Sequence, residues 1–165
     1  MPTASAVTSL TLDEQLAPGG AAAASFARLW RSLWSQPYVT PQLLELCRVT
    51  LARLHRDQAE LEAVNPWVPA AGSAVRRAAV LAGDVSKSDS FTRAEKALLE
   101  FTESYALDAQ SISDAQAERV RDALGEPGLV FLIEALGCLD GRIRTARCLR
   151  DLAAGAFSGE AAGAD

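Results

Sequence analysis

The sequence predicts an all-α protein, and three observations carry that prediction. Alanine and leucine dominate the composition, no stretch alternates apolar and polar residues as a half-buried strand would, and helix-start signatures recur along the chain. With 165 residues, 49% of them hydrophobic and 22% charged, the chain is sized and composed for one helical domain with its own core. The expected organisation is a flexible N-terminal segment over 1–20, a single helical domain over 21–156 and a flexible tail over 157–165.

About six helices follow in order. The first covers 22–35, where Phe26, Leu29, Trp30, Leu33 and Trp34 recur at helical spacing and Pro37 ends the run. The second opens at Thr40, an N-cap followed by Pro41 at the first helical position, and runs to about residue 64 before Asn65-Pro66. A shorter third helix spans 70–81, and 83–90 is polar loop. Thr92 and Glu95 form the capping-box pattern that opens the fourth. Ser113 and Gln116 repeat it for the fifth, which Gly125 closes. The sixth runs from about Pro127 to 154, and its apolar first half places it at the centre of the bundle.

Composition narrows the function classes. The net charge of −5 lacks the basic footprint of a nucleic-acid binder. No apolar run is long enough to span a bilayer, and the N-terminus has no basic region leading into an apolar one, so a cytoplasmic protein is the expectation. Cys47, Cys138 and Cys148 form no Cys-x-x-Cys and read as reduced thiols. His55 is the only histidine and no Glu-x-x-His occurs, so neither a metal nor another cofactor is expected.

The second helix carries the candidate chemistry. On a continuous helix Leu46, Val49, Arg53, Asp57, Glu60 and Val64 share one flank. Asp57 and Glu60 become neighbours, with Arg53 one turn before Asp57 and Arg56 one turn before Glu60. Fully wet, this is a solvated face of weak ion pairs. Half-buried in a pocket, one carboxylate gains a raised pKa and can act as general acid or base. Glu134 lies inside the apolar run of the last helix, either paired with Arg48 or Arg53 or lining a cavity. Trp30 and Trp34 belong to the core or a subunit interface, or wall an apolar ligand site.

Two stretches, E-L-C-R-V-T-L-A-R-L-H-R-D-Q-A-E-L-E-A-V from Glu45 and F-T-R-A-E-K-A-L-L-E-F-T-E-S-Y from Phe91, resemble the core of the alkylhydroperoxidase D / carboxymuconolactone decarboxylase superfamily. The later L-D-G-R-I-R is similar to that family's N-x-x-N-R, with Asp140 at the first Asn and Arg144 at the Arg. The resemblance implies an alkylhydroperoxidase D-like helical bundle that assembles as dimers, trimers or hexamers, with a pocket close to a subunit interface. It matches Glu45 to the family's proton-relay glutamate. It also sets Asp57 and Glu60 at the two Cys-x-x-Cys positions and Val64 at the histidine. Carboxylates form neither sulfenate nor disulfide, so thiol peroxidase chemistry through that motif is excluded.

The resulting expectation is a small apolar or aromatic metabolite handled by cofactor-independent acid/base chemistry of decarboxylase, isomerase or lyase type. Asp57, Glu60 and Glu45 are its catalytic candidates. Arg53, His55, Trp30, Trp34, Glu134 and Arg144 are its substrate-binding candidates, with Arg53 or Arg144 holding an anionic group. The alternatives are a non-catalytic oligomeric binding or scaffold protein, and residual peroxidase activity through Cys47 or Cys138.

Overall fold

The computed structural model describes residues 6–69 and 74–155, and among them it is helical with no strand. In chain order the α-helices are α1 Leu12–Leu16, α2 Gly20–Leu33, α3 Pro41–Leu54, α4 Gln58–Glu62, α5 Ala74–Ala82, α6 Arg93–Asp108 and α7 Asp114–Ala153. Short 3-10 turns lie at Ala17–Gly19, Val85–Lys87 and Ala109–Ser111. Among the described residues no helix is long and apolar enough to cross a membrane.

The expected start signals operate. Thr40 Oγ1 accepts from Leu43 N at 3.3 Å and Pro41 opens α3. Both capping boxes close: Thr92 Oγ1 accepts from Glu95 N at 3.2 Å, and Ser113 Oγ from Gln116 N at 3.3 Å. In each, the Glu95 or Gln116 side chain accepts in return from the cap's backbone N–H. Gly125, at φ 74°, breaks the helical path as expected, and Pro127 starts the second limb of α7.

Three expectations change. First, the helix starting at Thr40 stops at Leu54 rather than running to 64. His55 caps it, Arg56 turns left-handed at φ 53°, Arg56 N bonds Arg53 O at 3.0 Å and Asp57 N bonds Ala52 O at 3.0 Å. This is a Schellman stop with arginine where glycine is usual. Second, much of the segment expected to be flexible over 1–20 is built into the fold. Leu12 and Ser9 are fully buried, and α1 lies within the segment; residues 1–5 and the tail from 156 lie outside the described residues. Third, the bundle centre is α3, not the last helix. Every residue from Leu43 to Ala52 is buried, and α3 packs on α4, α5, α6 and α7. On α7, Leu132, Ala135, Leu136 and Leu139 face the core while Val130, Ile133 and Glu134 face outward.

The expected third helix, over 70–81, corresponds to α5; 70–73 lie outside the described residues.

Candidate functional site

The carboxylates singled out in the sequence meet at the junction of α3, α4 and the N-terminal segment, but as parts of a buried ion network. Arg48, fully buried on α3, reaches both ways. Its Nε and Nη2 donate to Glu45 at 2.9 and 2.7 Å, and its Nη1 donates to Glu60 Oε2 at 2.8 Å and to the Glu60 backbone O at 3.1 Å. Burial works against the guanidinium charge, but the hydrogen bonds and charges of Glu45 and Glu60 outweigh it and raise the Arg48 pKa. Ser9 closes the other side of Glu60, donating its Oγ at 2.7 Å and its backbone N–H. Glu60 is thus wholly enclosed, with both oxygens engaged.

Asp57 is the N-cap of α4, with Oδ1 accepting from Glu60 N at 3.2 Å, and its other oxygen pairs with Arg150 of α7. The pairings expected on a continuous helix do not form. Arg53 pairs with Glu103 of α6 instead of Asp57, and Glu60 takes Arg48 instead of Arg56. The turn at Arg56 changes the direction of every side chain after it. Asp57 and Glu60 therefore serve as cap and buried counter-ion, and neither faces a pocket lined by the expected substrate-binding residues.

Glu45 differs from the other two. Besides Arg48 it accepts from Asn65 Nδ2 at 2.7 Å and lies 3.6 Å from Arg77 Nη1. It also borders a hollow of about 360 Å³ that Asn65, Arg77, Leu61, Val68 and Pro69 help to line. Val64, at the position of the family histidine, is 85% exposed on the rim of this hollow.

The other candidates separate. Trp30 and Trp34 are buried with ring centroids 5.1 Å apart, and Trp67 stacks on Trp34 at 5.8 Å. Arg142 lies 4.3 Å over the Trp30 ring, so Trp30 makes a cation–π contact within the core while Trp34 and Trp67 pack ring to ring. Glu134 is exposed and pairs with neither Arg48 nor Arg53, which take Glu45, Glu60 and Glu103, because its side of α7 meets water; it borders a surface hollow of about 250 Å³ together with Tyr38 and Phe131. Arg53 lies by Gly83, away from Glu45. His55 and Arg144 do come together, both bonded to Asp140.

Cys47 and Cys138 are buried free thiols, and Cys148 is an exposed one. Burial pushes the Cys47 thiol up to about 12 against the Thr102 hydrogen bond, and pushes Cys138 up to about 11 against the pull of Arg142. Neither is a thiolate near neutral pH, and the thiolate is the reactive form.

Sequence reasoning missed Ser9, Asp13, Asn65, Arg77, Arg142 and Arg150. Arg142 donates to Ser9 O at 2.8 Å and Asp13 at 2.7 Å. One signal was present for the arginines: Arg142 and Arg150 stand two helical turns apart on one side of α7, and Arg142 adjoins the apolar Leu139–Ile143–Ala146 row. No protein-family description, curated protein or solved structure matches the chain.

Proposed function

We propose that this chain is a protein of the alkylhydroperoxidase D-like, carboxymuconolactone decarboxylase-like type, without the redox Cys-x-x-Cys, that binds a small, largely apolar metabolite with one polar end. The site is the hollow at Glu45, and its chemistry is cofactor-independent proton transfer of lyase or isomerase type. The observation that carries this reading is the hollow's composition. Glu45, Asn65 and Arg77 converge on it, while Leu61, Val68 and Pro69 supply apolar wall. Its volume suits a metabolite, and Glu45 is the one carboxylate of the three that borders it. Arg77 offers a cation to an anionic substrate group. Asp57 and Glu60 support the site from behind.

Native mass spectrometry of the purified protein tests the reading, followed by thermal-shift measurements with a panel of small aromatic and aliphatic carboxylates. A bound small molecule, or a shift that Arg77→Ala abolishes and Glu45→Gln alters, is the expected result. No adduct and no shift across the panel, with the protein folded, sinks it.

A further inference from the structure

A second cluster lies at the other end of α3, ten residues and about 15 Å along the helix from Glu45. His55, the only histidine, caps α3 and directs Nε2 to Asp140 Oδ1 at 2.5 Å. The other Asp140 oxygen accepts from Arg144 Nε at 2.7 Å. Arg147 Nη1 donates to the His55 backbone oxygen at 3.0 Å, so the residue is held at both its ring and its main chain.

The second ring nitrogen, Nδ1, has no hydrogen-bond partner among the described residues, and it is not a sealed atom: the His55 side chain is 20% exposed. A carboxylate on one imidazole nitrogen fixes the proton there, leaves the other as a lone pair, and stabilises the imidazolium once formed.

The surroundings define what such a base would meet. Arg144 and Arg147 have side chains 63% and 53% exposed. Arg144 commits Nε to Asp140, and among the described residues its two Nη groups have no partner, which leaves them for the planar fork that grips carboxylates. The Arg147 partners are the His55 oxygen and Asp151, the latter at a loose 3.9 Å. The Tyr105 hydroxyl reaches the same part of α7: a Cβ at Gly137 would stand only 3.3 Å from it. Burial first, then the charge of Asp140, raises the Tyr105 pKa, so it stays a neutral hydroxyl.

We propose that His55 is a general base oriented by Asp140, and that the site hydrolyses small esters carrying a carboxylate, which Arg144 and Arg147 hold. In the step, His55 Nδ1 takes a proton from water as the water oxygen bonds to the ester carbonyl carbon. The ester C–O bond then breaks, and the leaving oxygen takes the proton from the imidazolium. Ester and water become acid and alcohol, and His55 returns to its starting form with no oxidant or cofactor consumed. Asp140 is a positioning residue; His55 is the catalytic one.

The probes are mono-4-nitrophenyl succinate, which carries a carboxylate, and neutral 4-nitrophenyl acetate. The expected kcat/KM is at least about tenfold higher for the succinate ester, the gain of one well-held ionic contact. His55→Gln abolishes turnover of both. Asp140→Asn lowers kcat by about 10²-fold, the usual worth of general-base catalysis, with KM little changed. Arg144→Ala with Arg147→Ala raises KM for the succinate ester alone. Wild-type rates equal to those of His55→Gln, or an Asp140→Asn variant as fast as wild type, overturn the proposal. Because Asp140→Asn could loosen the helix contact, diethyl pyrocarbonate gives a second measurement on the intact protein. It acylates His55, and millimolar succinate should slow the reaction severalfold by occupying the arginines. A rate indifferent to succinate overturns the anion site.

Discussion

Glu60 and Arg48 are both fully removed from solvent, and their charges are tolerable only because each has the other. Arg48 also holds Glu45, so one guanidinium is shared between two carboxylates from α3 and α4, and Arg77, 3.6 Å from Glu45, brings a second cation. Replacing Arg48 with methionine roughly keeps the volume and leaves Glu60 buried with only the neutral Ser9 donors, while Glu45 keeps Asn65 and Arg77. The expected loss is about 3–5 kcal/mol, the cost of breaking a buried pair from one side, read as a lower urea midpoint. A variant within about 0.5 kcal/mol of wild type, the ordinary surface range, would mean that water reaches the acids freely. The sequence expectation took Asp57 and Glu60 as a pair of acids on one face of a continuous helix, whereas the fold uses the same D-x-x-E as a helix start. Their partners were not legible. Helical projection offers Arg53 and Arg56, which are close in sequence, whereas Arg150 lies 93 positions from Asp57.

At the scale of elements, side chains that bond their own backbone were readable and the unusual stop was not. Thr40, Thr92 and Ser113 each act within three residues, so a short window of sequence contains the whole interaction. Gly125 was readable because glycine adopts positive φ without strain. The stop after Leu54 places Arg56 in that conformation, and arginine carries no such signature. The Asp57 cap and α4 then follow from the turn, and with them the positions of Asp57 and Glu60. Arg56→Gly relieves the side-chain clash at φ 53° but loosens the unfolded chain, so its expected effect lies between neutral and about 1 kcal/mol stabilising. Arg56→Val adds β-branching at the same φ and should destabilise by about 1–2 kcal/mol. Chemical denaturation of the two variants side by side checks the order. Equal losses in both would show that Arg56 stabilises through its exposed side chain and that its backbone is unstrained.

For the whole molecule, the N-terminal segment acts as a strap whose polar contacts close the bundle. Ser9 links Glu60 of α4 to Arg142 of α7, Asp13 adds a second bond to Arg142, and Val7 O accepts from Arg150 at 2.5 Å. Composition made this stretch look loose, since Ala-Pro-Gly-Gly and scattered Ser and Thr bury little apolar area of their own. Its order comes from donors and acceptors up to 143 positions away, which no local pattern encodes. The all-helical class survives such misreadings because it rests on propensity summed over the chain. Removing residues 1–13 takes away Ser9, Asp13 and the Val7 carbonyl together, leaving Glu60 with Arg48 alone and Arg142 with no hydrogen-bond partner among the described residues. The truncated chain should lose about 3–5 kcal/mol, as expected when buried charges keep only part of their compensation. It should also couple to Glu60: Glu60→Gln costs less in the truncated chain than in the full one, because groups sharing one network do not contribute additively. Urea denaturation of the full chain, each single change and the combination measures that coupling. Strictly additive losses would separate the strap from the buried acids, and would reduce the N-terminal segment to a cover over Leu12.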